Sequence, residues 1–252
     1  MSGARGPVLL LGGTAEAFVL AEELVGRGVA VTTSLAGRVK NPRRPAGKLR
    51  IGGFGGVAGL ARYLQEERVA AVVDATHPFA EQISANALAA CRSVGVPLLR
   101  LERPSWRPGP GDRWLYFADG REAAAFVKRR GGRVLLTVGR GGLEPFVAVE
   151  GAWFLVRCVE LPERLPPNAQ LLLARGPFTL EDEEELIRRH RIDLVVTKES
   201  GGAASQAKLL AARRAGIEVA VIRRGAPPAA EHVETVGEAV GWVARQLGLA
   251  AP

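Results

Sequence analysis

The residues best suited to chemistry in this sequence lie where short apolar runs give way to small polar ones. The first such place is GGT, Gly12 to Thr14, which follows the run Val8–Leu11 and precedes a helical pattern. Two glycines let the backbone turn sharply, and a threonine before Ala15 and Glu16 can cap a helix with its hydroxyl. Such a helix start leaves N–H groups pointing outward, where a phosphate can settle. The turn lacks the third glycine of the GxGxxG fingerprint, so taken alone it fits a structural turn as well as a phosphate cradle.

A second place sharpens the choice. Sites that prefer NAD often carry an acid after the second strand, where it accepts from the ribose hydroxyls. Here the stretch is TTSLAGR, with Ser34 and Arg38 and no acid nearby. A hydroxyl and a guanidinium suit a 2′-phosphate, which leans to NADPH; the plainer alternative is a solvated basic loop. A third place is VVDATHPFA, Val72 to Ala80, at the end of another apolar run. Strand carboxyl ends face the ligand crevice of an open parallel sheet, so Asp74, Thr76 and His77 are expected at its rim. His77 could bond a ribose or a substrate carboxylate, or simply cap or pack against the helix that Pro78 suits.

Three loops of the second half have the same character: TVGRGG (Thr137 to Gly142), ARGPF (Ala174 to Phe178) and TKESGG (Thr197 to Gly202). They bring Arg140, Arg175 and Lys198 to strand ends. Each alone is an ordinary surface charge, but three cations around a cleft would hold a ligand with several negative charges.

The elements that must position these loops follow from alternating patterns. Strands are predicted at Val8–Gly12, Val29–Ser34, Leu49–Ile51, Ala70–Asp74 and Pro97–Leu101, with helices at Glu16–Arg27, Val57–Glu67 and Ala80–Val94. After the proline- and glycine-rich stretch ERPSWRPGPGDRW, strands are predicted at Trp114–Phe117, Val134–Val138, Trp153–Val159, Leu171–Ala174, Leu194–Thr197 and Val219–Ile222. The intervening helices are Gly120–Arg130, Leu180–His190, Ser205–Ala215 and Thr235–Leu247, and the acidic EDEEEL opening reads as a solvated helix start. The expected fold class is therefore α/β, with two Rossmann-like domains built on parallel sheets and a ligand cleft between them. Their expected bounds are 1–102 for the cofactor domain, 103–113 for a linker and 114–252 for the substrate domain.

Composition limits the partners. The chain has 252 residues, enough for two such cores without disulfides, and no apolar run approaches the roughly 20 residues of a membrane span. The apolar part of MSGARGPVLLLGG is too short for a signal-peptide core, so a cytoplasmic protein with no membrane partner is expected. Cys91 and Cys158 show no metal-ligand spacing and read as small core residues; no metal site is expected. A net charge of +8 calls for a polyanionic partner. Basic residues are scattered and aromatics make up only 6%, which argues against nucleic acid. The sequence also lacks GxxxxGK[ST], HExxH and GxSxG, which disfavours a Walker-type hydrolase, a zinc protease and an α/β-hydrolase.

Taken in order, LLGGTAEA, SLAGR, GGFGG (Gly52 to Gly56), DATHPFA, RLERPSW, TVGR, ARGPF and VTKESGG with Lys208 resemble the precorrin-6A reductase family of cobalamin biosynthesis, CobK or CbiJ. The series runs nearly end to end, and DATHPFA with TKESGG is its most specific part. One departure is Phe18, where the family pattern leads us to expect an arginine after GGTxEA; it puts a polar contact on the first helix in doubt.

The resemblance implies hydride transfer from NADPH to precorrin-6A, or to its cobalt form, giving precorrin-6B. It implies that the cofactor lies on Gly12, Gly13, Thr14 and Ala17, with Ser34 and Arg38 near the adenosine phosphate. Gly53, Phe54 and Gly55, with Asp74, Ala75, Thr76, His77, Pro78 and Phe79, would complete its walls. Arg140, Arg175 and Lys198, with Ser200 in the same loop as Lys198, would receive the carboxylates of the tetrapyrrole. The proton donor is left open between Lys198, His77 and solvent, and no catalytic residue is assigned. A monomer is expected.

Two alternatives are weaker. One is another NADPH-dependent reductase of a polyanionic substrate on the same scaffold; its short-chain dehydrogenase form needs Tyr-x-x-x-Lys, but four residues after Tyr63 and Tyr116 stand Glu67 and Gly120. A non-catalytic dinucleotide sensor, or a nucleic-acid binder, gives no reason for the strand-end loops of the second half.

Overall fold

Runs such as VLLL, AVVD and LVVT are apolar on both faces, and only a strand covered on both sides by helices buries them completely. The computed structural model describes residues 6–37, 42–202 and 205–249, and in it these runs are the central strands of two parallel sheets. The chain divides into two compact units, one formed by residues up to Pro104 together with those from Gly225 onward, the other by Ser105–Arg224.

The first unit contains β1 (Val8–Leu11), α1 (Ala15–Gly26), β2 (Val31–Leu35), β3 (Lys48–Ile51), α2 (Gly56–Glu66), β4 (Ala71–Asp74), α3 (Glu81–Val94) and β5 (Leu98–Leu101). The second contains β6 (Arg113–Phe117), α4 (Gly120–Arg130), β7 (Gly132–Thr137), β8 (Ala152–Cys158), β9 (Ala169–Leu173), α5 (Leu180–His190), β10 (Leu194–Lys198), α6 (Ala207–Arg214) and β11 (Glu218–Ile222). Two 3-10 turns, Arg140–Gly142 and Glu144–Phe146, join β7 to β8. The chain then returns to the first unit as β12 (Glu231–Val233) and α7 (Val236–Leu247).

The strand order of the first sheet is β3-β2-β1-β4-β5-β12 and every pairing is parallel. This is the doubly wound order, with the sixth place filled from the C-terminal segment. The second sheet runs β9-β8-β7-β10-β11-β6, also parallel throughout. It is the same arrangement with its outermost place taken by the strand that opens the unit. In both sheets the winding reverses at one central pair, β1/β4 and β7/β10. Open α/β folds bind ligands outside the carboxyl ends of such a pair.

The α/β class and the two Rossmann-like sheets agree with expectation. The domain bounds differ. The expected second domain, 114–252, ends at Arg224, because β12 finds its ladder on β5 and α7 packs on α1. Val240, Trp242 and Val243 of α7 are buried in one core with Leu20, Leu24 and Leu99. The expected linker, 103–113, is likewise structured. Trp106 is buried among Leu135, Leu155 and Val195, its indole donates to the Gly202 carbonyl at 3.0 Å, and Asp112 receives Arg213.

The helix ends follow their local chemistry. Thr14 caps α1, and Thr179 with Asp182, and Thr235 with Glu238, form capping boxes on α5 and α7. In one respect α5 departs from expectation: Glu183 of the acidic opening is only 2% exposed and holds Arg157 with two hydrogen bonds of 2.8 and 3.0 Å. Arg157 in turn lies 3.9 Å from the centre of the Phe178 ring.

Candidate functional site

A single register row crosses the carboxyl end of the first sheet: Arg50 of β3 beside Ser34 of β2, then Leu11 of β1, Asp74 of β4 and Arg100 of β5. The GGT turn rises from the middle of this row. The Gly12 amide donates to the Ser34 carbonyl at 3.0 Å, so the turn leaves the sheet bonded to the neighbouring strand. Gly13 has φ 121° and a side chain there would meet nothing within 4 Å, so the first turn of α1 is open above it. Thr14 is buried; its hydroxyl accepts from Ala17 at 3.2 Å and donates to the Ala75 carbonyl at 2.8 Å. One side chain thus fixes the helix start and ties it to the β4 loop.

That loop is organised from within. Asp74 is buried, and its Oδ1 accepts from the Thr76 amide at 3.1 Å and the Thr76 hydroxyl at 2.7 Å, while its Oδ2 stands 3.6 Å from Nε of Arg100. Its carboxylate is therefore spent on shaping the loop. His77 accepts at Nδ1 from the Phe79 amide at 3.2 Å and its ring centre lies 5.7 Å from that of Phe79. Such a bond leaves the proton of a neutral imidazole on Nε2. Pro78 sits in a turn closed by the Ala80 amide on the His77 carbonyl, and α3 begins only at Glu81.

Of the residues expected around a cofactor, the structure brings Gly12, Gly13, Thr14, Ala17, Asp74, Ala75 and Thr76 to the β1–β4 edge, with Ser34 on the neighbouring strand β2. Arg38 lies outside the described residues. Gly53, Phe54 and Gly55 follow β3, where Phe54 is held between the Arg50 guanidinium, 3.7 Å from its ring centre, and the edge of Tyr63. Arg50 escaped the sequence reading. It donates to the Ser34 hydroxyl at 3.3 Å, to the Gly52 carbonyl, and to the Gly53 carbonyl at 2.8 Å. The one available signal was its place before GGFGG at a strand end.

The second unit repeats the arrangement with cations. At its β7/β10 pair, Lys198 lies against Gly142, where an added Cβ would stand 3.0 Å from Cε and 3.1 Å from Nζ. Glycine at 142 is thus the condition for this close approach. Ser200, buried, donates its amide to the Lys198 carbonyl at 2.7 Å. Arg140 leans to Glu160 at 3.6 Å, joining the β7 loop to the β8 loop. Arg175 is exposed just past β9, two strands from β7 and so ~10 Å along the edge. Three apolar side chains are exposed at the same strand ends, Val159 and Leu161 just past β8 and Leu173 closing β9. Among the described residues no cluster of His, Cys, Asp or Glu could hold a metal ion, and no helix is long and apolar enough to cross a membrane.

Two parallel doubly wound sheets, one with an open glycine turn at its switch point and one with a cationic edge, define a Rossmann-like α/β protein. Comparison narrows this. Residues 7–244 match the precorrin-6x reductase CbiJ/CobK family, and the chain belongs to that family. It is similar to the precorrin-6A reductase of Rhodococcus erythropolis, with 50% identity over 239 residues covering 94% of this chain and 96% of the relative. The cobalt-precorrin-6A reductase of Salmonella typhimurium is 33% identical over 244 residues, covering 88% of this chain and 89% of the relative. A solved structure described as CobK precorrin-6A reductase superposes with a TM-score of 0.93 at 44% identity, covering 98% of both chains. The protein is accordingly an enzyme, an oxidoreductase of cobalamin biosynthesis.

Proposed function

We propose that this enzyme reduces metal-free precorrin-6A to precorrin-6B at the expense of NADPH. The observation that carries the substrate is the gap in identity. Relatives named precorrin-6A reductase are 43–50% identical, whereas those named cobalt-precorrin-6A reductase are 29–33% identical.

The residues at the β1–β4 edge fit a dinucleotide. The space above Gly13 is open, α1 offers its unpaired N–H groups there, and the end of β2 carries Ser34 in place of an acid. When bound, NADPH supplies a hydride to the macrocycle. The chain supplies alignment: Gly12 to Thr14 bind the pyrophosphate, Ala17 packs beneath them, and Thr76 to Phe79 with Gly53 to Gly55 wall the ribose and nicotinamide. Arg140, Arg175, Lys198 and Ser200 take the carboxylates of precorrin-6A, with Val159, Leu161 and Leu173 against its apolar parts. Spread over four neighbouring strand ends, β10 to β9, these groups span ~14 Å, a breadth suited to a large ring with acid side chains. One proton accompanies the hydride; Lys198 and His77 are the side chains able by type to deliver it. The enzyme works as a cytoplasmic monomer, without nucleic acid, in this proposal.

The test is absorbance at the nicotinamide band with purified enzyme, each cofactor and each macrocycle. Oxidation confined to NADPH with precorrin-6A is the expected result. Faster turnover of the cobalt form, or equal use of NADH, overturns the substrate or the cofactor respectively.

A further inference from the structure

We infer that Arg50 selects NADPH over NADH by gripping the 2′-phosphate, an inference that rests on the cofactor proposed above and assigns its specificity to one side chain. Ser34 and Arg50 are register partners on β2 and β3, so both side chains leave the same face of the sheet at its carboxyl end. In a doubly wound fold the end of the second strand faces the adenosine ribose. The acid that would accept its 2′-hydroxyl is replaced by the Ser34 hydroxyl, with the Arg50 guanidinium 3.3 Å away.

The guanidinium is already fixed. Nη1 donates to Ser34 and to the Gly52 carbonyl, Nη2 donates to the Gly53 carbonyl, and the plane rests on Phe54. Those bonds use three of its five N–H groups. What remains is Nε–H and one Nη2–H, on two nitrogens that share one edge of the guanidinium. Arg213 grips the Asp112 carboxylate with that edge, at 2.9 Å from Nε and 2.6 Å from Nη2. An anchored fork with two parallel donors suits a phosphate, and because its rotamer is set beforehand, binding costs little side-chain entropy. Neutral ribose in NADH offers the fork no charge.

The experiment compares dissociation constants for NADPH and NADH, and for 2′,5′-ADP and 5′-AMP as fragments that differ by the same phosphate. Wild type, Arg50→Gln, Arg50→Lys and Arg38→Ala are measured by calorimetry. Wild type is expected to favour NADPH at least tenfold. Arg50→Gln should weaken NADPH and 2′,5′-ADP at least tenfold while changing NADH and 5′-AMP less than twofold, and Arg50→Lys should fall between. Should Arg50→Gln fail to fold, Arg50→Lys carries the test through its loss of the fork. Equal loss for both cofactors shows that Arg50 only shapes the loop and overturns the inference, as does loss of preference in Arg38→Ala alone; NADPH itself survives both results. A wild type that does not distinguish the cofactors overturns the inference and the NADPH proposal together.

Discussion

Thr14 donates its hydroxyl proton to the Ala75 carbonyl at 2.8 Å, across the switch point of the first sheet. The same oxygen accepts from the Ala17 amide. Thr14→Val keeps the shape and removes both bonds, leaving a buried amide and carbonyl without partners. Loss of such a cap costs about 1–2 kcal/mol. Urea unfolding should show that loss, together with weaker NADPH binding as the turn and the β4 loop come apart, and Thr14→Ser should restore both.

Arg157 and Glu183 form a buried pair at the end of β8, where Arg157 also stacks on Phe178 of the ARGPF loop. Glu183→Gln strands the guanidinium, and breaking one side of a buried pair costs roughly 3–5 kcal/mol. Replacing both residues by apolar ones of similar volume, Arg157→Met with Glu183→Leu, should recover most of the stability in the same denaturant titration.

Trp242 is 1% exposed, and its indole donates to Glu231 at 2.8 Å, so it ties α7 to β12. Trp242→Ala should cost about 3–5 kcal/mol. Hydrogen exchange locates the damage: amides of β5 and β12 should lose protection before those of β10 and β11. The reverse order would contradict the return of the chain to the first unit.

Asp112 has a side chain only 1% exposed. Burial alone would raise its carboxyl, but the Arg213 hydrogen bonds and charge and the Gly109 amide hold it below the ordinary 3.8. A depressed carboxyl stabilises the fold above its unfolded value, and that contribution is lost as pH falls through the folded one. Wild type should therefore lose stability steeply below about pH 4, while Asp112→Asn starts less stable at neutral pH and shows a shallower acid slope in thermal unfolding.

Cys91 and Cys158 are both buried free thiols. Burial, with the Asp74 charge second, pushes Cys91 up to about 12, and burial raises Cys158 as well. Neither is a ready nucleophile, since the thiolate is the reactive form. A disulfide reagent at pH 8 should label neither in the native enzyme and both after unfolding; rapid native labelling would contradict the core placement.

Much of this was legible in the chain. The central strands announced themselves because only a strand covered on both faces tolerates VLLL or AVVD, and the first helix because Thr14 stands at its start; the caps Thr179 and Thr235 emerged only from the structure. The loops GGT, DATHPFA and TKESGG were recognisable because their order and composition are local properties. β12 was not legible: Glu231 and His232 are exposed, and an edge strand of three residues is defined by backbone bonds to β5, which leave no side-chain pattern. Glu183 looked like one acid among several at a helix start, and only packing against β8 distinguishes it.

The sequence by itself determined the α/β class, the chemistry offered at each strand end and the family to which the chain belongs, because apolar period, caps and turn residues act over a few neighbours. The tertiary structure decided which residues face one another: Ser34 with Arg50, Lys198 with Gly142, Trp242 with Glu231. Those pairings depend on strand register and on a segment crossing back from one unit to the other, and neither exists until the sheets close.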